Sequence, residues 1–261
     1  MKYAMSAIIK KDFRGVASNR KMFSSLLIVP IALIIVMPSI MVFAVHFAPD
    51  DPDIMKMMEL LPQAVRPEDM ETAVIGLLLN YLLPVFFLLI PIMTASIMAA
   101  SSFVGEKEKR TLETLLYCPL SLRKIFQAKV LASFLLSMTV SLFSFAAMLL
   151  VMETEIFFLT GALILPGVSW AVILLLVSPA ISLIAITFIV KGSAKARSME
   201  ESQQSAVFLV IPVLLLIVSQ VTGIMLLNIW ILLGLGGVCA LLAGLLLKKS
   251  MNRFTYERLL R

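Results

Sequence analysis

The densest group of ionisable residues in this chain lies between residues 105 and 129, where Glu, Lys and Arg alternate with Leu. Such a pattern favours the docking of a soluble partner over catalysis, which needs a nucleophile, an acid–base pair or metal ligands. The chain has one histidine, His46, and two cysteines, Cys118 and Cys239, and it contains no GxxxxGK(S/T) phosphate-binding loop. We therefore predict no catalytic residue, no metal site and no cofactor-binding site in this chain.

Long apolar runs must position these charged residues. Of the 261 residues, 61% are hydrophobic and 15% are charged, whereas about a quarter of a soluble domain is charged. Six runs reach the ~20 residues that a helix needs to cross ~30 Å of hydrocarbon, and only helices or closed barrels satisfy their backbone in lipid. The sequence predicts an all-α integral membrane protein, one domain over residues 1–261. Its predicted spans are about residues 22–47, 73–103, 130–152, 169–190, 205–227 and 229–247.

Basic residues are distributed very unevenly between the two sides of these spans. All but two of the 22 Lys and Arg residues fall on one side, the exceptions being Lys56 and Arg66. Because Lys and Arg accumulate in cytoplasmic loops, we predict that both termini, the loop 104–129 and the tail 248–261 are cytoplasmic. We expect a multi-pass protein of a cell membrane, and the short, compact plan is typical of bacteria.

The first cytoplasmic segment, residues 1–21, has the pattern of an amphipathic helix. Basic residues lie off an apolar stripe, which predicts a helix in the membrane interface with its apolar side in lipid. The alternative is an ordinary basic flank that sets topology. The stripe consists of Tyr3, Ile8, Ile9, Phe13 and Val16.

The second segment, residues 104–129, predicts a helix, a break and another helix. Glu106 and Glu108 are placed at the start of the first helix, where the helix dipole favours anions. Pro119 ends that helix, and Ser121 is placed to cap the helix that continues into the third span. The residues alone leave two interpretations open, a docking element for a soluble partner and a simple connecting loop. The apolar face of the first helix is formed by Leu112, Leu115 and Leu116.

Inside the predicted spans there is no Asp, Glu, Lys or Arg. Proton- and ion-coupled carriers place an ionisable group near mid-membrane, so a secondary transporter fits this sequence poorly. Asn80 and Gln220 are candidates for lining a transport path, and the alternative is that they form hydrogen bonds between helices. Prolines in or near the spans remove backbone donors and predict kinks. These are Pro30, Pro38, Pro84, Pro91, Pro179 and Pro212.

The string Phe103-Val-Gly-Glu-Lys-Glu-Lys-Arg-Thr-Leu-Glu-Thr-Leu-Leu, followed by Pro119-Leu-Ser and Lys129, resembles the signature of ABC transporter permeases of the type-2 export class. The N-terminal Ile9-Lys-Lys-Asp-Phe-Arg and the six-span plan resemble the same family. This resemblance implies that residues 105–121 include a coupling helix that docks on a separate ATP-binding subunit. The docking residues it implies are Gly105, Glu106, Lys107, Glu108, Thr111, Leu112, Glu113, Leu115, Leu116, Pro119, Leu120 and Ser121. A second cytoplasmic contact is implied at Lys191, Lys195 and Arg197.

The resemblance also implies an assembly. Two permease copies, or a permease and a paralogue, would combine with two ATP-binding subunits, which would bind ATP and Mg. The expected function is ATP-driven export of an amphipathic or hydrophobic substrate such as a drug, a peptide or a lipid-like molecule. Sodium-ion efflux by a permease of the same family is an alternative, as is a non-transporting membrane assembly or sensor protein. The expected surroundings are a lipid bilayer, with no nucleic acid.

Overall fold

The computed structural model describes residues 2–48, 52, 55, 70–108, 121–193, 196, 198–222 and 228–252. Within these ranges the secondary structure is helical, and they contain no strand. We number the helical elements α1 to α8 in chain order. They are α1 (Lys2–Ser18), α2 (residues 20–47), α3 (Met70–Glu108), α4 (Leu122–Thr160), α5 (Val168–Gly192), α6 (Met199–Gln204), α7 (Val207–Val221) and α8 (Ile229–Asn252).

Five segments of the described chain are long and apolar enough to cross a membrane. They are α3, α4, α5, α6 together with α7 (Met199–Val221), and most of α8 (Ile229–Met251). The C-terminal part of α2, Ala32–Phe47, is a shorter apolar helix. The prediction of an all-helical, multi-pass membrane protein is therefore confirmed. The first predicted span coincides with α2, and the other five overlap the five candidate spans.

Several helices extend beyond the predicted spans, and α3 and α4 are two of them. α3 continues past residue 103 to Glu108, and α4 continues past residue 152 to Thr160. Gly161, at φ 68, ends α4 in the left-handed conformation that glycine adopts at low cost. Our placement of Glu106 and Glu108 at the start of a separate helix is wrong, because α3 continues unbroken and both lie in its last turn.

The start of α4 agrees with the sequence. Ser121 precedes it in extended conformation, at φ −66 and ψ 148, and the first helical residue is Leu122. The Ser121 side chain, however, makes no capping hydrogen bond. The helix boundary is confirmed, whereas the predicted side-chain cap is not formed.

The helices α2, α3 and α5 each contain a five-residue π-helical segment that ends two residues before a proline. A proline ring crowds the carbonyl four residues earlier, and that carbonyl belongs to the central residue of each segment. The wider π-helical turn relieves this crowding, so three of the six prolines for which kinks were predicted adjoin a local change in helix type. The segments are Ala32–Val36, Leu78–Leu82 and Ile173–Val177, and the prolines are Pro38, Pro84 and Pro179.

The core lies around α3, which packs against both α4 and α5. The most apolar window of α3 is 67% buried, compared with 17% for that of α4. Phe87 of α3 and Phe145 of α4 contact Trp170 of α5, with ring centroids 5.5 and 5.0 Å from the indole. The same three helices share a buried hydroxyl chain, in which Ser137 lies 2.9 Å from Thr94 and 3.3 Å from Ser182. This arrangement makes α3 the central helix.

Candidate functional site: a buried charge cluster below the charged loop

Lys129 is a buried lysine in the first third of α4, with 2% of its surface exposed. Its Nζ lies 2.5 Å from Oε2 of Glu106, in the last turn of α3, and also donates to the Ser102 carbonyl. The ammonium lies 5.2 Å from the centroid of the Phe103 ring, within the range of a cation–π contact. A buried charge is costly unless it is paired and hydrogen-bonded, and Lys129 is both.

The N-terminal helix α1 supplies the other two charged members of this group. Lys11 pairs with Oε1 of Glu106, and its Nζ lies 3.8 Å from Oδ1 of Asp12. Asp12 is 8% exposed and accepts a 2.7 Å hydrogen bond from the Ser102 hydroxyl. We call Lys11, Asp12, Ser102, Glu106 and Lys129 the charge cluster. It contains two lysines and two carboxylates and joins α1, α3 and α4.

Burial raises the pKa of the Asp12 carboxyl above its ordinary value, while Lys129 and the Ser102 hydrogen bond act in the opposite direction. Desolvation disfavours the charged carboxylate, and the neighbouring ammonium groups favour it. The charged form of Asp12 therefore depends on the lysines from its own helix and from α4. If α1 moved away from α4, Asp12 would lose the nearby ammonium group of Lys129, which favours its charged form.

The position of α1 follows from a four-residue spacing. Ile8, Asp12 and Val16 fall on one face of the helix, and all three are buried. Ile8 packs with Ile125 and Ala128 of α4. We expected the apolar stripe of this helix to face lipid, and for Ile8 and Val16 that expectation is wrong. The helix packs on the protein instead, because the adjacent Asp12 requires partners that lipid does not supply.

The short helix α6 lies on the C-terminal end of α3. The Glu108 carboxylate accepts a 3.2 Å hydrogen bond from the backbone N–H of Met199, and the Ser198 hydroxyl accepts one from that of Glu201. Both contacts satisfy free donors at a helix start. A Cβ on Gly105 would lie 2.9 Å from the Met199 sulfur, so this glycine permits the close approach.

The structure describes some of the predicted docking residues. Gly105, Glu106, Lys107 and Glu108 form the last turn of α3, and Ser121 precedes α4. Lys191 is exposed in the last turn of α5. Their role in docking stays a prediction. The remaining candidates, Thr111, Leu112, Glu113, Leu115, Leu116, Pro119, Leu120, Lys195 and Arg197, lie outside the described residues.

Asn80 and Gln220, the candidates for a transport path, have different surroundings. The Asn80 Oδ1 accepts a 2.6 Å hydrogen bond from the backbone of Gly167, and its Nδ2 donates to the Gly76 carbonyl at 3.0 Å. Asn80 therefore makes the interhelical contact that was its alternative interpretation. Gln220 is 4% exposed, and within the described part of the chain its amide makes no hydrogen bond.

Sequence reasoning missed Asp12 and Ser102 as members of a site and assigned Lys129 no partner. Asp12 carried a usable signal, because an acidic residue between Ile8 and Val16 on an apolar helical face requires a buried cation. Lys129 closes the family signature, and its partner Glu106 opens the charged part of the same signature. The pairing of these two residues requires α3 and α4 to lie side by side, which only the structure shows.

The described part of the chain is an all-helical, multi-pass membrane domain with a buried charge cluster where α1, α3 and α4 meet. A family model described as "ABC-2 family transporter protein" matches residues 6–244, and the chain belongs to this family of transport permeases. Such permeases typically work with an ATP-binding subunit, and they are generally non-catalytic themselves. Searches of curated proteins and of solved structures found no match.

Proposed function

We propose that this chain is the membrane-spanning subunit of an ATP-driven exporter, whose energy comes from a separate ATP-binding subunit docked at residues 105–121. The observation that carries the proposal is the ion pair between Glu106 and Lys129. Glu106 lies three residues before residues 109–120, in the last turn of α3, and Lys129 lies nine residues after them, within the first turns of α4. The pair therefore joins α3 to α4 at the base of the segment that is proposed to dock.

This pair makes the loop suitable for transmitting movement. A loop with independent ends absorbs a displacement by changing its own conformation, whereas a loop with joined ends passes the displacement to its helices. Lys11 and Asp12 extend the connection to α1, so three elements would move as one body. We propose that ATP binding draws the ATP-binding subunits together and that each rotates this body, which changes access to a path between the permeases.

The complete assembly is proposed to contain two ATP-binding subunits and two permeases, either identical or paralogous. ATP and Mg are bound by the ATP-binding subunits in this proposal. Each permease has six spans, with α2 as the first, and both termini are cytoplasmic, in a cell membrane that is bacterial. The support for this orientation is the concentration of Lys and Arg on one side of the spans.

The proposed substrate is amphipathic or hydrophobic, such as a drug, a peptide or a lipid-like molecule. The buried polar residues among the described spans include neutral hydroxyls and amides, for example Thr94, Ser137 and Gln220. Seventeen methionines add polarizable and adaptable apolar surface. A substrate held by these groups would be recognised through apolar contact and a few hydrogen bonds.

The test is co-purification of the tagged chain from its native membranes in mild detergent. We expect an ATP-binding subunit in roughly equal amount, and Glu113→Arg should abolish its retention because it reverses a charge in the predicted docking helix. Lys248→Glu is the matched control, since it reverses an exposed charge at the end of α8, outside the predicted docking segment. Absence of any ATP-binding subunit in several detergents, with the chain still helical, would favour an assembly or sensor protein instead.

Transport is tested with the purified complex in vesicles. ATP hydrolysis that rises with a substrate, and export of that substrate, are expected for the parent and for the Lys248→Glu variant. A screen should include amphipathic drugs, peptides, lipid-like molecules and sodium ions, because sodium efflux is the alternative within the family. Hydrolysis that responds to none of these, with no movement of any of them, would contradict the exporter proposal.

A further inference from the structure

We infer that Trp170 and Asn80 form a releasable clamp between α5 and α3, and that this clamp opens when the permease changes access between the two sides of the membrane. The clamp consists of Leu79, Asn80, Gly167 and Trp170. Its existence follows from the geometry, and only its opening rests on the proposed function.

In the first half of the clamp, Trp170 binds a backbone carbonyl that a proline leaves without a partner in its own helix. In the π-helical segment of α3, the N–H of Leu83 bonds to the carbonyl of Leu78, five residues earlier. The next donor in this register would be residue 84, which is a proline and has no N–H. The carbonyl of Leu79 therefore loses its partner within α3. The indole Nε1 of Trp170, from α5, donates to this carbonyl at 2.9 Å.

The second half of the clamp uses the next residue of the same segment. The Asn80 side chain accepts a 2.6 Å hydrogen bond from the backbone N–H of Gly167, immediately before α5. A Cβ on residue 167 would lie 2.9 Å from the Asn80 oxygen, so this contact requires glycine. Leu79 and Asn80, which are adjacent in α3, thus bind Trp170 in α5 and Gly167 immediately before α5.

The clamp can release without unfolding either helix. Both of its hydrogen bonds join a side chain of one segment to the backbone of another, and neither closes a turn of its own helix. The π-helical segment of α5, Ile173–Val177, begins three residues after Trp170. Because a turn next to a proline has fewer helical hydrogen bonds, it bends more easily than a regular helix. The end of α5 that carries the clamp therefore adjoins a turn that can absorb its movement.

Trp170 also supplies its own reporter. The chain has two tryptophans, and Trp230 is 77% exposed whereas Trp170 is buried against Phe87 and Phe145. Trp230→Phe leaves one tryptophan. The permease is labelled with 5-fluorotryptophan and then assembled with the unlabelled ATP-binding subunit that co-purifies with it. Fluorine NMR then observes the indole of the clamp alone, in the complete complex.

We expect one fluorine signal without nucleotide, and a second, solvent-accessible signal when ATP and vanadate are added. Asn80→Leu should populate the second signal without nucleotide, because it removes half of the clamp. Gly167→Ala should do the same through a single methyl group, which displaces the Asn80 side chain with minimal change elsewhere. Gln220→Leu is the matched control, since it replaces a buried amide outside the clamp and should leave the first signal unchanged.

A second reporter separates failure of the clamp from failure of the proposed function. A fluorophore on Cys118, in a Cys239→Ser background, lies within the predicted docking segment and reports contact with the ATP-binding subunit. A response of Cys118 without any change at Trp170 would overturn clamp release while docking stands. If neither reporter responds, the proposed function fails and release fails with it. If Asn80→Leu and Gly167→Ala both keep the parent signal, the two residues do not hold α5.

Discussion

Replacing Lys129 by methionine should destabilise the permease far more than the same change at Lys11. Both lysines contact Glu106, but Lys129 is 2% exposed, whereas the side chain of Lys11 is 54% exposed. Removing one partner of a buried pair costs about 3–5 kcal/mol, because the other charge stays buried without compensation. We expect Lys129→Met to fall near about 3 kcal/mol, since Lys11 still reaches Glu106.

The exposed lysine sets the comparison. Water and salt screen a half-exposed ammonium, so Lys11→Met should cost only about 0–1 kcal/mol. The difference between the two variants, at least about 2 kcal/mol, corresponds to a factor of roughly 30 in the unfolding equilibrium. Lys129→Met combined with Glu106→Gln removes both charges of the pair, and it should cost less than the sum of the two single changes.

The assay is reversible unfolding of the purified chain in mixed micelles, followed by the loss of helical circular dichroism as the denaturing detergent increases. The four variants are measured at one ionic strength beside the parent. Equal losses for Lys129→Met and Lys11→Met would refute the reasoning, because burial would then have no effect on the strength of the pair. Strict additivity in the double variant would also contradict a direct interaction between Glu106 and Lys129.

Three further predictions concern single residues. Gln220→Leu should raise the free energy of unfolding by about 1–3 kcal/mol in the same assay, because it removes a buried amide without hydrogen bonds, and a loss would indicate a partner. Pro84→Ala restores a backbone N–H that can bond the Leu79 carbonyl within α3, so Trp170 should lose its acceptor and its fluorescence emission should shift. An unchanged emission spectrum would contradict the inference that Pro84 leaves the Leu79 carbonyl without a helical partner. Burial raises the pKa of Asp12, so the contribution of Asp12 to the free energy of unfolding should fall as pH rises from about 4 through the raised native pKa. Asp12→Asn should abolish this fall in unfolding curves measured across the same pH interval.

The membrane-spanning plan could be predicted because it depends on local properties of the chain. An apolar run of sufficient length must be a helix in lipid, and the uneven distribution of Lys and Arg predicts its orientation. The ends of the helices were less accessible to this reasoning. α3 continues through Glu106 because that carboxylate is neutralised by Lys129, which lies 23 residues later. The polar residues after residue 103 predicted the end of a span. In the structure they form the last turn of α3, where Glu106 contacts Lys129.

The contacts between helices could not be predicted from the spacing of residues along the chain. The prolines predicted kinks, but the π-helical segments beside Pro38, Pro84 and Pro179 depend on the hydrogen-bond register of the folded helix. Asn80 was a candidate for a transport path, with an interhelical role as the alternative, whereas its partner Gly167 and the neighbouring contact of Trp170 follow from packing. The docking candidates between Thr111 and Leu120 lie outside the described residues, and they stay predictions from the family resemblance.

The length of α4 has a mechanical consequence. This helix runs for 39 residues without a proline or a glycine, so it is about 58 Å long, almost twice the hydrocarbon thickness. Lys129 lies near its N-terminal end, and Glu155, whose carboxylate accepts a 2.7 Å hydrogen bond from Ser39, lies near the other. A tilt of about 10° about one end would displace the opposite end by about 10 Å, given that rise per residue. A small rotation of α4 at the charge cluster would therefore become a large displacement at its opposite end.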